Sequence, residues 1–149
     1  MSDIEQNKQK VLTLEDFPHC RDERVRYRDT DRQGHVNNAV FSTFYECSRT
    51  EILYDPKRKL VSPEREFVIV TIQIDYMAEL SWPGDVKIGT RVVRLGSSSV
   101  TCEQAIFQNG VLASRAKSVM VMMDTATRKS TALPADAIAS LSELISTAG

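Results

Sequence analysis

One stretch of this chain spaces its apolar residues with a helical period while almost everything after it alternates, and that change of period restricts the folds open to it. Phe41, Phe44, Tyr45, Ser48 and Ile52 fall at i, i+3, i+4, i+7 and i+11 within the segment from Ala39 to Asp55, which Pro56 ends. The spacing predicts a helix of about four turns with one face for a core. Before it, Asp22 to Asp29 alternates Arg24, Arg26 and Arg28 with Val25 and Tyr27 and reads as a strand with one wet face. After it, Phe67 to Met77, Val86 to Leu95, Val100 to Gln108 and Val111 to Asp124 read as strands. Turn signals separate them at Trp82-Pro83-Gly84-Asp85, Gly96 to Ser99 and Asn109-Gly110. Pro134 opens a last amphipathic segment with Ile138, Leu141, Leu144 and Ile145 on one side. A helix with an aromatic stripe must be covered, so the order predicts an α+β domain in which an antiparallel sheet wraps a long central helix.

Size and charge narrow the function classes. The 149 residues, 42% of them hydrophobic, suffice for one core. Residues 1–21 read as a polar N-terminal lead-in and 22–149 as the single domain. Nineteen basic against twenty acidic residues leave a net charge of −1, which gives no electrostatic reason to expect nucleic acid or an anionic membrane as partner. No apolar run is long enough to span a bilayer and residues 1–10 do not read as a signal sequence, so the expected location is cytoplasmic. Cys20, Cys47 and Cys102 are odd in number and lack metal-ligand spacing, which points to reduced thiols that pack rather than react. With two histidines far apart, no metal site and no cofactor are expected.

The chemistry is concentrated just before the helix, in Arg28-Asp29-Thr30-Asp31-Arg32-Gln33-Gly34-His35-Val36-Asn37-Asn38. The first N–H groups of a helix lack intrahelical acceptors and can donate to an oxygen that gains negative charge, while glycine lets backbone come close to a substrate. Asp31 is then a candidate base or nucleophile beside those donors, and Asn37 or Asn38 a natural N-cap. The same residue types also make ordinary turns and caps, and residue types alone leave both readings open.

The span from Tyr27 to Leu53, YRDTDRQGHVNNAVFSTFYECSRTEIL, resembles the hotdog-fold acyl-CoA thioesterases of the 4-hydroxybenzoyl-CoA thioesterase type, through an Asp-x-Asp-x-x-Gly sequence followed directly by an aromatic-rich helix. The strand pattern extends the resemblance over residues 22 to 125. It implies a hotdog fold and the hydrolysis of acyl-CoA thioesters, with Asp31 as nucleophile or general base at the thioester carbonyl. It also implies carbonyl-polarising backbone N–H groups in the segment from Gly34 through Asn38. Gly34 and His35 join Asp31 as catalytic candidates, and Val36, Asn37 and Asn38 as substrate-binding ones. A related motif of acyl-carrier-protein thioesterases has an Asn where this chain has Gln33, which separates the chain from that pattern. Hotdog proteins pair their sheets, so the resemblance further implies a homodimer or homotetramer with its sites at the subunit interface.

Two other classes compete with hydrolysis: a non-catalytic hotdog module that binds acyl thioesters, and an enoyl-thioester hydratase or dehydratase using Asp31 with His35. A carboxylate placed at a carbonyl disfavours the first, and the closeness of the motif to the hydrolases disfavours the second. Glu46 and Arg49, three apart on the helix, are expected to pair on its surface, with Glu46 a reserve acid. Lys57, Arg58, Lys59, Arg91, Arg94 and Lys117 are candidate partners for the phosphates of coenzyme A.

Overall fold

The computed structural model describes residues 11–145. These form β1 (His19–Arg24), α1 (Asn38–Leu53), β2 (Arg65–Tyr76), β3 (Asp85–Leu95), β4 (Ser99–Gln108), β5 (Val111–Asp124) and α2 (Ala135–Ser142). The strands make one antiparallel sheet in the order β1-β3-β4-β5-β2, with β1 and β2 at its edges. α1 lies against one face, the hotdog arrangement. Bulges at Ile69/Thr71 in β2 and Val92/Arg94 in β3 bend the sheet around it.

The helix is built as its stripe requires: Phe41, Phe44, Tyr45, Ser48, Ile52 and Leu53 are buried on its inner face. Two apolar clusters result. Phe41, Phe44 and Tyr45 pack with Val25, Val36, Leu80, Val86, Ile88 and Ile106 toward the N-terminal half of α1, and Ile52 and Leu53 pack with Val92, Val100, Met120, Met122 and Leu141 toward the other. Between them lies a buried polar layer. Ser48 and Thr90 share a hydroxyl hydrogen bond of 2.8 Å, and the Gln104 carboxamide donates to Thr90 at 2.9 Å and to the Tyr45 carbonyl at 3.1 Å. Arg49 donates to the Gln104 oxygen at 3.0 Å. The surface pair expected between Glu46 and Arg49 is therefore absent: Arg49 is 6% exposed and turned inward, and burial draws its pKa down. Beside the layer the Tyr45 hydroxyl donates to Ser114 at 2.7 Å, and Ser114 to the Asp75 carbonyl at 2.8 Å. Tyr45→Phe keeps the ring and removes one bond, and is expected to cost about 1 kcal/mol in urea melts at unchanged m value.

Two boundaries differ from the sequence reading. The first strand is His19–Arg24 rather than Asp22 to Asp29, because Tyr27–Asp29 closes into a 3-10 turn. The buried Asp29 carboxylate accepts the Arg26 N–H at 2.8 Å and its guanidinium at 3.0 Å, a local side-chain bond that outcompetes the sheet ladder. Residues 11–21, assigned above to a lead-in, are in part core: Leu12 and Phe17 pack with Ala105 and Phe107 on the sheet face away from α1. A Cβ at Gly89 would lie 2.5 Å from the Phe17 ring, so glycine there is what lets the ring rest on the strand. Residues 1–10 lie outside the described residues. Cys20, Cys47 and Cys102 are free, and burial pushes the Cys102 thiol up to about 12. Among the described residues no helix is long and apolar enough to cross a membrane, and no group of three or more His, Cys, Asp or Glu is placed to hold a metal ion.

Candidate active site

The loop from Asp29 to Asn38 is shaped almost entirely by its own backbone. Asp31 N–H donates to the His35 carbonyl at 2.8 Å, Gly34 N–H returns to the Asp31 carbonyl at 3.0 Å, and Thr30 bridges Val36. Gly34 holds φ +84° at the tip, a left-handed conformation that favours glycine, and a Cβ there would meet no atom within 4 Å. The turn therefore needs glycine for its backbone, and the space beside it is open. Outside the turn, Val36 N–H donates to Leu80 O at 2.9 Å and Asn37 N–H to Asp29 O at 2.8 Å, which fixes the start of α1 to the neighbouring segments.

This folding decides which groups are free. Asp31 Oδ1 accepts the Gln33 N–H at 2.8 Å, which fixes the rotamer, while Oδ2 has no hydrogen-bond partner among the described residues. Asn37 is the N-cap: its carboxamide oxygen takes the Ala39 N–H at 2.9 Å and its carbonyl the Val40 N–H at 2.9 Å. The Asn38 N–H, first of the helix, is left as the amide able to meet a substrate oxygen. Asp31, Gln33, His35, Val36, Asn38 and Phe41 line one cavity of about 340 Å³ with Tyr76 to Glu79, within the range of small-molecule sites. The structure thus brings Asp31, His35, Val36 and Asn38 to one cavity. Gly34 forms the adjoining turn, Asn37 serves as cap, and the Val36 side chain is 4% exposed in the core.

Two lining residues carried no signal in the sequence. The Tyr76 hydroxyl donates to the Asn38 carbonyl at 3.1 Å, and its ring stands edge-on to Phe41 at 5.0 Å. Glu79 pairs with His35 Nε2 at 2.9 Å. Tyr76 read only as one of a strand's alternating residues, and Glu79 sits in the connection after β2, where no periodicity distinguishes it.

Two other features are weaker candidates. Ser48, His19 and Glu51 form a string, Ser48 Oγ to His19 Nδ1 at 3.5 Å and His19 Nε2 to Glu51 at 3.2 Å, that superficially matches a nucleophile, a base and its orienting acid. Ser48 is fully buried and bound to Thr90, so it cannot meet a substrate. A larger cavity of about 860 Å³ lies between residues 11–15 and the β4–β5 hairpin, but its Asp22 is held by Lys87 at 2.7 Å and neither helix start borders it.

Asp29, the first acid of the motif, works underneath. Burial alone would raise its pKa, but the Arg26 guanidinium and N–H outweigh burial and hold the carboxyl below the usual carboxylate range. A carboxyl whose folded pKa is depressed stabilises the protein above its unfolded pKa of about 3.9, and that contribution is lost as pH falls through the folded value. Asp29→Asn is accordingly expected to lower the melting temperature at pH 7, with the gap to wild type closing as the pH is taken below 4.

A sequence model of the thioesterase-like superfamily matches residues 25–141. The chain belongs to that superfamily. Among relatives of this thioesterase-like chain, the acyl-CoA thioesterase YbgC of Haemophilus influenzae is 28% identical over 125 residues, covering 81% of the chain and 92% of the relative. The solved PA5185 protein of Pseudomonas aeruginosa superposes with TM-score 0.82 at 28% identity, covering 92% of this chain and 98% of that one. A Thermus thermophilus thioesterase, solved in complex with coenzyme A and Zn, is 32% identical with TM-score 0.74, covering 87% and 96%.

Proposed function

We propose that the chain hydrolyses acyl-CoA thioesters to a carboxylic acid and free coenzyme A, with Asp31 as general base or nucleophile. The observation that carries this reading is a carboxylate with one free oxygen in the same cavity as the unpartnered first amide of α1. The names of the relatives support the substrate class. Asp31 Oδ2 either takes a proton from water as its oxygen bonds to the thioester carbon or attacks that carbon itself. The carbonyl oxygen becomes an oxyanion facing the Asn38 N–H, a donor of a kind worth about 3 kcal/mol in measured oxyanion holes. Collapse of the tetrahedral species expels the thiolate, a good leaving group; where Asp31 is the nucleophile, this leaves an acyl anhydride on Asp31 that water then hydrolyses to the carboxylic acid. His35, held by Glu79, forms one wall of the cavity and fixes Asp31 through its backbone carbonyl.

Release of free thiol from a panel of short, long and aromatic acyl-CoAs tests the reading; binding of every member without turnover would replace it with a non-catalytic acyl-thioester module. An enoyl-CoA in the panel, followed by its absorbance, separates hydrolysis from hydration.

The same reading includes a second copy of the chain. β2 is a 12-residue edge strand with no strand beside it on its outer side among the described residues, and Ile69, Val70, Tyr76 and Met77 on or beside it are exposed. Such an edge is a template for pairing, and Tyr76 and Met77 also line the Asp31 cavity, so a partner along β2 would wall it. Sedimentation is expected to give at least a dimer and Val70→Lys a lighter species; a monomeric wild type would exclude the pairing. The three free thiols suit a reducing cytoplasm.

A further inference from the structure

We infer that the corner formed by Tyr27 and Trp82, with Arg28 and Arg32, receives the 3′-phosphoadenosine end of the coenzyme A thioester. This rests on the acyl-CoA reading above and adds the group by which the substrate is held outside the reacting cavity. Tyr27 is 72% and Trp82 44% exposed, and their rings stand edge to face with centroids 5.1 Å apart. Both segments are pinned. Val25 N–H donates to Gly84 O at 2.9 Å, joining the two segments, and the Gln108 carboxamide grips both the N–H and the carbonyl of Ser81 at 2.8 and 3.0 Å. The backbone that carries the aromatic corner is therefore held in place before anything binds.

Its position follows from two links to the Asp31 cavity. Ser81, next to Trp82, bridges His35, and the Thr30 hydroxyl donates to the Tyr27 carbonyl at 2.6 Å. Exposed, preorganised aromatic faces suit a purine, which stacks without needing a matched set of hydrogen bonds. The charges suit its phosphates. Around the corner Arg24 faces Asp85 at 3.6 Å, Arg26 pairs with Asp29 at 3.0 Å and Glu79 with His35 at 2.9 Å. Arg28, which follows Tyr27 on the same turn, and Arg32 are exposed, and among the described residues neither forms an ion pair, Arg28 acting on Asp29 only through its field. Four of the six cations singled out in the sequence are placed less well. Arg58 is spent on the Ser140 carbonyl at the end of α2 and Arg91 on Glu103. Lys57 and Lys59 follow the far end of α1, whose 16 residues put them about 24 Å from its start.

Trp82 is the sole tryptophan, so its emission reports on the corner alone. Titration of the full chain with adenosine 3′,5′-bisphosphate is expected to quench that emission saturably, and Arg28→Gln to weaken the midpoint about tenfold. In kinetics, Trp82→Ala is expected to lower kcat/KM about tenfold on an acyl-CoA while leaving the matching acyl-pantetheine, which lacks the nucleotide, unaffected. Trp82→Phe should restore most of the loss. Absence of quenching at millimolar nucleotide, an equal loss on both thioesters, or an emission that follows protein concentration instead of nucleotide would each overturn the inference, the last by assigning the corner to a second copy of the chain. Should Trp82→Ala not fold, Arg28→Gln carries the same two-substrate comparison. Turnover of acyl-pantetheine with no nucleotide effect rejects the subsite and keeps the hydrolase; failure to turn over any thioester rejects the hydrolase independently of the titration.

Discussion

Asp31→Asn is expected to lower kcat by about 10² to 10⁴, the range that a positioned general base supplies. Asparagine keeps the shape and keeps an oxygen for the Gln33 N–H, so the turn should survive and the melting temperature should stay near wild type. What disappears is the anionic Oδ2, the one oxygen of that side chain with no hydrogen-bond partner among the described residues. KM should change little, because the amide of Asn38 and the walls of the cavity remain. A folded Asp31→Asn protein that retained more than a tenth of wild-type turnover would take Asp31 out of the chemistry and leave the oxyanion donor as the main contributor.

Phe41→Ala should produce the largest loss of stability among substitutions near the site, about 3–5 kcal/mol by the usual cost of truncating a buried phenylalanine. Phe41 is 2% exposed, it sits one turn into α1, and it touches both the core and the cavity. Its ring is the surface against which Tyr76 stands, and Tyr76 in turn holds the carbonyl of Asn38. Truncation therefore also loosens the cavity wall, and a rise in KM should accompany the lower urea midpoint. Phe41→Leu, which keeps most of the volume, should show a smaller version of both effects; a Phe41→Ala protein with wild-type stability would contradict the packing of the N-terminal cluster.

The helix and the strands were legible because burial imposes a period: the stripe from Phe41 to Ile52 faces the sheet as its spacing required. Asn37 was one of two residues whose type marked the cap. Arg49 was misread because its spacing from Glu46 suits a surface pair, whereas the acceptor it takes inside the protein is Gln104, 55 residues away. The first strand was misplaced for a related reason, since alternation from Arg24 to Arg28 does not reveal that Asp29 folds back on Arg26. At the site, Asp31 and the segment to Asn38 are contiguous and could be read together. Glu79 and Tyr76 reach the cavity only because the sheet carries the end of β2 past the start of α1, a long-range consequence of strand order that no local pattern contains.

The polar layer that crosses the interior at Ser48, Arg49, Thr90 and Gln104 has a bearing on how this scaffold can change over generations. It separates two apolar compartments that share a helix but not their packing, so a substitution that reshapes one leaves the other intact, and effects in the two should combine independently. The compartment next to Asp31 can then drift in shape to suit a different acyl group while the one around Met122 and Leu141 goes on holding the fold.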